Sequence, residues 1–207
     1  STLELSLAAR HPGQTAGVSV GTAGAQSRAW RAGDPLRNST QIQVSRDARL
    51  ASGNSLSTRL SYTHETRLDA ASLSADVWRL GAQHGRALET GSIVFDVQVT
   101  QASSASALVD RREIRALAAY AHGETVFGVL PTLRAQMTQR DYAEVSGLFG
   151  TTRDDFEYSV GLELAVPSLN AMGFMPTVTL TARRNSSSIA AYETETLGLR
   201  FGYRSSF

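Results

Sequence analysis

Three observations predict an all-β, up-and-down antiparallel transmembrane β-barrel. Side chains alternate in twos along the chain, the alternating runs reach about ten residues or more, and Gly, Asn or Pro separates them. A soluble sandwich strand is typically about five or six residues long, whereas a tilted membrane strand needs about 9 to 11. At about 17 residues per strand and connection, the 207 residues give about 12 strands, with 10–14 as the accepted range.

The elements follow in order. "TLELSLAAR" places Leu3, Leu5 and Leu7 on one side. "HPGQTAG" (11–17) reads as a turn and "AGDPLRNST" (32–40) as a longer loop. "SLSTRLSYTHE" sets Leu56, Thr58, Leu60 and Tyr62 against Ser57, Arg59, Ser61, Thr63 and Glu65. "SIVFDVQVTQ" sets Ile93, Phe95, Val97 and Val99 against Asp96, Gln98 and Thr100. "FEYSVGLELAV" opposes Phe156, Tyr158, Val160, Leu162 and Leu164 to Glu157, Ser159, Gly161 and Glu163. "TVTLTAR" carries Val178, Leu180 and Ala182, and "TLGLRFGYRSSF" carries Leu197, Leu199, Phe201, Tyr203 and Phe207 opposite Arg200 and Arg204. "LETG" (88–91), "HGE" (122–124) and "NAMG" (170–173) supply turns.

This alternation assigns lipid to the apolar row and a wet interior to the charged one, because charge on the lipid face costs about 2 to 4 kcal/mol at mid-bilayer. The interior set is Arg59, Glu65, Asp76, Asp96, Glu113, Arg115, Glu157, Glu163, Arg183, Arg200 and Arg204. Its mixed signs suit either ladders that stiffen the wall or the lining of a channel. With 7 % aromatic residues, Tyr62, Trp78, Tyr120, Tyr158, Tyr192, Tyr203 and Phe207 supply only a thin interfacial girdle.

Composition narrows the function classes. Charged residues make up 19 % and the formal charge is +1, so no excess of basic charge points to nucleic acid. There is no cysteine, which excludes disulfides and thiolate metal sites. No run of about 18 apolar residues offers a membrane helix, and no leader opens the chain; Ser1 reads as the start of a mature or excised piece. Residues 1–207 read as a single barrel domain. The histidines His11, His64, His84 and His122 share no metal-pair spacing, and "RDD" at 153–155 finds no histidine beside it in sequence. Neither catalysis, a metal nor a cofactor is expected.

The last third carries more. "RDYAEVSGLFGTTRDDFEYSVGLEL" and "GFMPTVTLTARRNSSSIAAYETETLGLRFGYRSSF" put an Arg-Asp pair before one strand and Gly-Phe-x-Pro at the start of the next. An Arg/Asn/Ser loop then precedes Ile and Tyr, and the closing strand ends in Phe. This resembles the C-terminal barrel of the surface lipoprotein assembly modifier family of Gram-negative outer membranes. The matching positions are Arg153, Asp154, Gly173, Phe174, Pro176, Arg184, Asn185, Ser186, Ile189, Tyr192 and Phe207.

The resemblance implies an integral outer-membrane protein that assists translocation or surface display of a lipoprotein or small secreted protein. Its partners would be outer-membrane lipids, the exported protein and the barrel-assembly machinery, the last reading Phe201, Tyr203 and Phe207 as an assembly signal. The chain departs from the family in carrying no helical repeat and in being shorter than a fourteen-stranded barrel. The alternative is a passive or substrate-specific porin, or the barrel of a polysaccharide exporter.

Overall fold

A computed structural model describes the backbone of residues 2–15, 18–31, 34–50, 54–68, 70–106, 108–145 and 149–205. Side chains at 2–22, 28, 30–35 and 144 lie outside the described residues, as do Phe207 and the side chains of Leu3, Leu5, Leu7 and His11. Eleven strands form one sheet in sequence order, each antiparallel to the next. They are β1 (Thr2–Thr15), β2 (Val18–Arg31), β3 (Asp34–Arg49), β4 (Asn54–Arg67), β5 (Ala75–Leu88) and β6 (Gly91–Ser104). The meander continues with β7 (Arg111–His122), β8 (Leu130–Val145), β9 (Thr152–Ala165), β10 (Phe174–Ser187) and β11 (Thr194–Ser205).

The described strands number one fewer than about 12, because they are longer than anticipated. β3 and β8 each run 16 residues. A 14-residue strand such as β9 rises roughly 46 Å and, tilted by about 40°, crosses roughly 35 Å, enough for an apolar band about 25 Å tall.

Two expected connections are strand over most of their length, the residues between the strands (16–17 and 32–33) lying outside the described ones. His11 to Thr15 continue β1, with Pro12 opposite Gly21. Pro12 is tolerated because β1 ends the sheet. Asp34 to Thr40 belong to β3, where the register shifts between Ala29 and Trp30 beside Pro35. That bulge absorbs a residue with no amide donor.

Two hairpin tips share one geometry. Phe127 (φ 51°) with Gly128 (φ 82°), and Met172 (φ 52°) with Gly173 (φ 80°), turn between the bridged pairs Val126–Val129 and Ala171–Phe174. Positive φ at both central positions matches the right-handed twist of the flanking strands. At Gly91, a Cβ would stand 2.2 Å from the Ala121 carbonyl oxygen, so this close approach requires glycine.

The two faces differ in kind. Leu133, Leu162, Leu180 and Leu199 stand side by side across β8 to β11. Val44, Leu60, Leu80, Val99 and Ile114 form a similar row across β3 to β7. Apart from the half-buried Val99, these side chains stay open, from 37 % exposed at Leu162 to 75 % at Leu197 on the same face. Among the described residues, buried apolar ones are few and mostly small, such as Ala29, Ala75, Ala102 and Ala165. Buried polar ones include Thr63, Asp96, Thr100, Thr138, Asp155, Glu157 and Asn185. A water-soluble sandwich packs its large apolar side chains inside. This sheet does the reverse.

Candidate functional site

The charged face is a wall of shared carboxylates. Asp96 on β6 accepts from Arg59 Nη2 at 2.8 Å and from Arg115 Nη2 at 3.2 Å. Arg59 reaches it from β4 by lying across Gly81 of β5, where an added Cβ would stand 3.8 Å from Arg59 Nε. Glu157 on β9 accepts from Arg140 Nη1 at 3.1 Å and Arg183 Nη2 at 2.6 Å. Arg140 also donates through Nε to Glu113 at 2.8 Å, and Arg111 approaches the same carboxylate at 3.9 Å. Glu163 lies 3.8 Å from Arg134 and 3.5 Å from Arg204. Asp96 and Glu157 are each only 5 % exposed, so each is a desolvated anion held by two cations. Sharing leaves arginine in excess over carboxylate along this face.

Two recesses open on the same wall. One, of about 300 Å³, is floored by Gly81 and edged by Gln41, Gln43, Arg59, Thr63 and Arg79 on β3 to β5. The other, of about 220 Å³, lies between Arg134, Gln136, Glu163 and Thr179 on β8 to β10. Arg79 Nη1 donates to Thr63 Oγ1 at 3.1 Å, and among the described residues the guanidinium meets no carboxylate.

A third cluster closes one end of the sheet. The Arg153 guanidinium pairs with Asp155 and lies 3.6 Å from the Tyr192 ring centroid and 4.6 Å from that of Tyr142. Asn185 Nδ2 donates to the Tyr192 carbonyl at 2.8 Å, and Ile189 is buried beside this loop. The Ser188 hydroxyl donates to the Thr152 carbonyl and accepts from the Asp154 amide, both at 2.9 Å. Cation–π stacking and these hydrogen bonds tie the β8–β9 and β10–β11 connections together.

The sequence positions fall as follows. Arg59, Asp96, Arg115, Glu157, Glu163, Arg183, Arg200 and Arg204 share the charged face. Glu65 joins them, 3.7 Å from Arg37. Asp76 does not. It stands on the apolar face with Trp78 and Leu80, opposite His64. There it accepts from Tyr62 Oη at 2.6 Å and lies 2.8 Å from His64 Nδ1. The strand end explains this: Asp76 sits beyond the Tyr62–Trp78 ring pair, whose centroids are 4.8 Å apart, where charge meets water rather than hydrocarbon.

Arg153, Asn185, Ile189 and Tyr192 converge in the end cluster, while Arg184 and Ser186 point to the apolar side. Pro176 lies opposite Tyr203, and Phe174 opens β10 after the Gly173 turn. Phe201 and Tyr203 are exposed on the apolar face. Arg79, Arg134 and Arg140 escaped sequence reasoning, although Arg79 and Arg134 adjoin an apolar neighbour (Trp78, Leu133) and Arg140 lies an odd three residues from Met137, which marks the phase of each. Among the described residues no cluster of three His, Asp or Glu side chains offers a metal site.

The model of the surface lipoprotein assembly modifier family matches residues 15–198. The chain belongs to this family. The match extends far beyond the last third in which the sequence resemblance is readable. No curated protein sequence matches the chain significantly. Among solved structures, Pseudomonas aeruginosa OccD3 (OpdP) is 16 % identical with a TM-score of 0.51, covering 94 % of this chain and 58 % of its own. Acinetobacter baumannii OccAB4 is 10 % identical with a TM-score of 0.51, covering 90 % of this chain and 50 % of its own. At such identities the likeness speaks for the fold, that of an outer-membrane β-barrel. The chain spans between half and three fifths of the length of those structures. The family member is thus an integral protein of the bacterial outer membrane. Exposed apolar side chains on one face and arginines on the other match the division a barrel makes between hydrocarbon and interior.

Proposed function

We propose that this barrel assists the passage of a lipoprotein or small secreted protein to the cell surface. The family match over residues 15–198 carries the reading. The inner wall is compatible with it: shared carboxylates fix arginines in place, giving a passing polypeptide hydrogen-bond donors on a stiff surface instead of oily patches. The role is non-catalytic, positioning and conduction being what such a wall supplies. Its partners are the exported protein on the inside and lipid on the outside. The barrel-assembly machinery is a third, engaging the terminal strand with Phe201, Tyr203 and Phe207.

Deleting the gene and measuring surface exposure of a neighbouring lipoprotein tests the proposal. Loss of display, restored by the wild-type copy, is expected; unchanged display overturns it. A second reading, a solute pore, draws on the two polar recesses of the inner wall. Planar-bilayer recordings address it, since a pore gives discrete conductance steps and a barrel that never conducts is no pore.

A further inference from the structure

We propose that the larger recess, on β3 to β6, is a binding site for a small hydroxylated carboxylate of about the size of a hexuronic acid. The inference goes beyond export and stands independently of it, because binding is read without transport.

Charge supplies the first argument. Arginine carries five N–H donors in a planar fork that matches a carboxylate. Around the wall, Arg59 and Arg115 share Asp96, Arg140 and Arg183 share Glu157, and Arg134 and Arg204 share Glu163. Arg79 differs. Among the described residues its one hydrogen bond is to the Thr63 hydroxyl at 3.1 Å, and most of its fork meets no anion there. Its cross-strand neighbours are Ser61 and Thr100, neither of which carries charge. Arg59, 40 % exposed at its side chain and holding only half of Asp96, adds a second positive edge to the same recess.

The neutral lining supplies the second. Gln41 and Gln43 are half-buried at the rim of the recess, and among the described residues neither amide meets a partner. An amide offers both a donor and an acceptor, which is what a hydroxyl group needs. Gly81 keeps the floor open: an added Cβ would stand 3.6 Å from the Val97 carbonyl oxygen and 3.8 Å from Arg59 Nε, inside the space a ligand would use. A volume of about 300 Å³ exceeds a bare oxyanion and lies at the lower end of ligand-sized sites. Anion-pairing donors on one edge and amides on another describe a ligand with a carboxylate at one end and hydroxyls at the other. The smaller recess lacks this pairing, since its Arg134 already faces Glu163.

The test is calorimetric titration of the full chain, folded in detergent micelles, with glucuronate and separately with glucose. Glucuronate is expected to bind saturably, and glucose, which has the ring without the carboxylate, at least about tenfold more weakly. Arg79→Gln should weaken glucuronate about ten- to hundredfold, the value of a charge-assisted hydrogen-bond pair. Arg79→Lys, which keeps the charge and loses the fork, should fall between. Arg134→Gln in the smaller recess should stay within about threefold of the parent. No saturable binding to the parent chain, equal binding of glucose, or undiminished binding by Arg79→Gln overturns the assignment. An equal loss in Arg134→Gln overturns it too, because the anion then sits elsewhere.

Discussion

The inner wall has two halves built on different principles. From β7 to β10, Arg111, Glu113, Arg140, Glu157 and Arg183 run as an unbroken alternation of charge, each carboxylate within 4 Å of two guanidinium groups. From β3 to β5 the wall is mostly amide and hydroxyl, with Arg79 set among them. The first half satisfies its own charges and has little left for a visitor. The second leaves donors unused, and its ion pairs among the described residues are Arg37 with Glu65 and, at the seam, Arg59 with Asp96. A network holds shape; an unsatisfied group holds potential for recognition.

Substitutions can break or sharpen that contrast. Glu157→Gln strikes the knitted half at a buried shared anion, leaving Arg183 without its carboxylate and Arg140 with Glu113 alone. Urea unfolding in lipid vesicles should register a loss of about 3 kcal/mol, and a loss below about 1 would mean the network contributes no rigidity. Asp96→Asn, at the seam between the halves, leaves two partly exposed arginines and should cost about 2 kcal/mol by the same measurement. Arg204→Gln removes a half-exposed pair at 3.5 Å from Glu163; screening by water limits the change to about 0.5 kcal/mol. Arg79→Gln should be the mildest, within about 0.5 kcal/mol of the parent and even slightly stabilising, since it deletes a cation with no anion beside it. If Arg79→Gln unfolded as readily as Glu157→Gln, the two halves would not differ.

Much of this was legible in the sequence. Side-chain parity within "FEYSVGLELAV" and "TLGLRFGYRSSF" assigns Glu157, Glu163, Arg200 and Arg204 to one face, and the registers place them there. Parity is a local property and survives long strands. Asp76 failed because its charge suggested the inner face although it shares the parity of Trp78 and Leu80, and a charge is tolerated on that side only past the aromatic pair. Position along the strand axis is not written in parity. Pairing across strands was equally invisible, so the sharing of Glu157 by Arg140 and Arg183, and the isolation of Arg79, needed the register. The "HPGQTAG" and "AGDPLRNST" stretches misled because Gly and Pro signal turns on average, while an end strand and a bulge accommodate both.

The two hairpin tips have a practical consequence for orientation. Phe127 and Met172 project from the β7–β8 and β9–β10 connections, opposite the end where Arg153 stacks on Tyr192, and both side chains are almost wholly exposed. The chain has no cysteine, so a thiol introduced at either tip would be unique in it. A membrane-impermeant maleimide applied to intact cells would modify that thiol only if this rim faces the medium. One labelling experiment therefore fixes which way the barrel points, and with it the side of the membrane on which each rim lies.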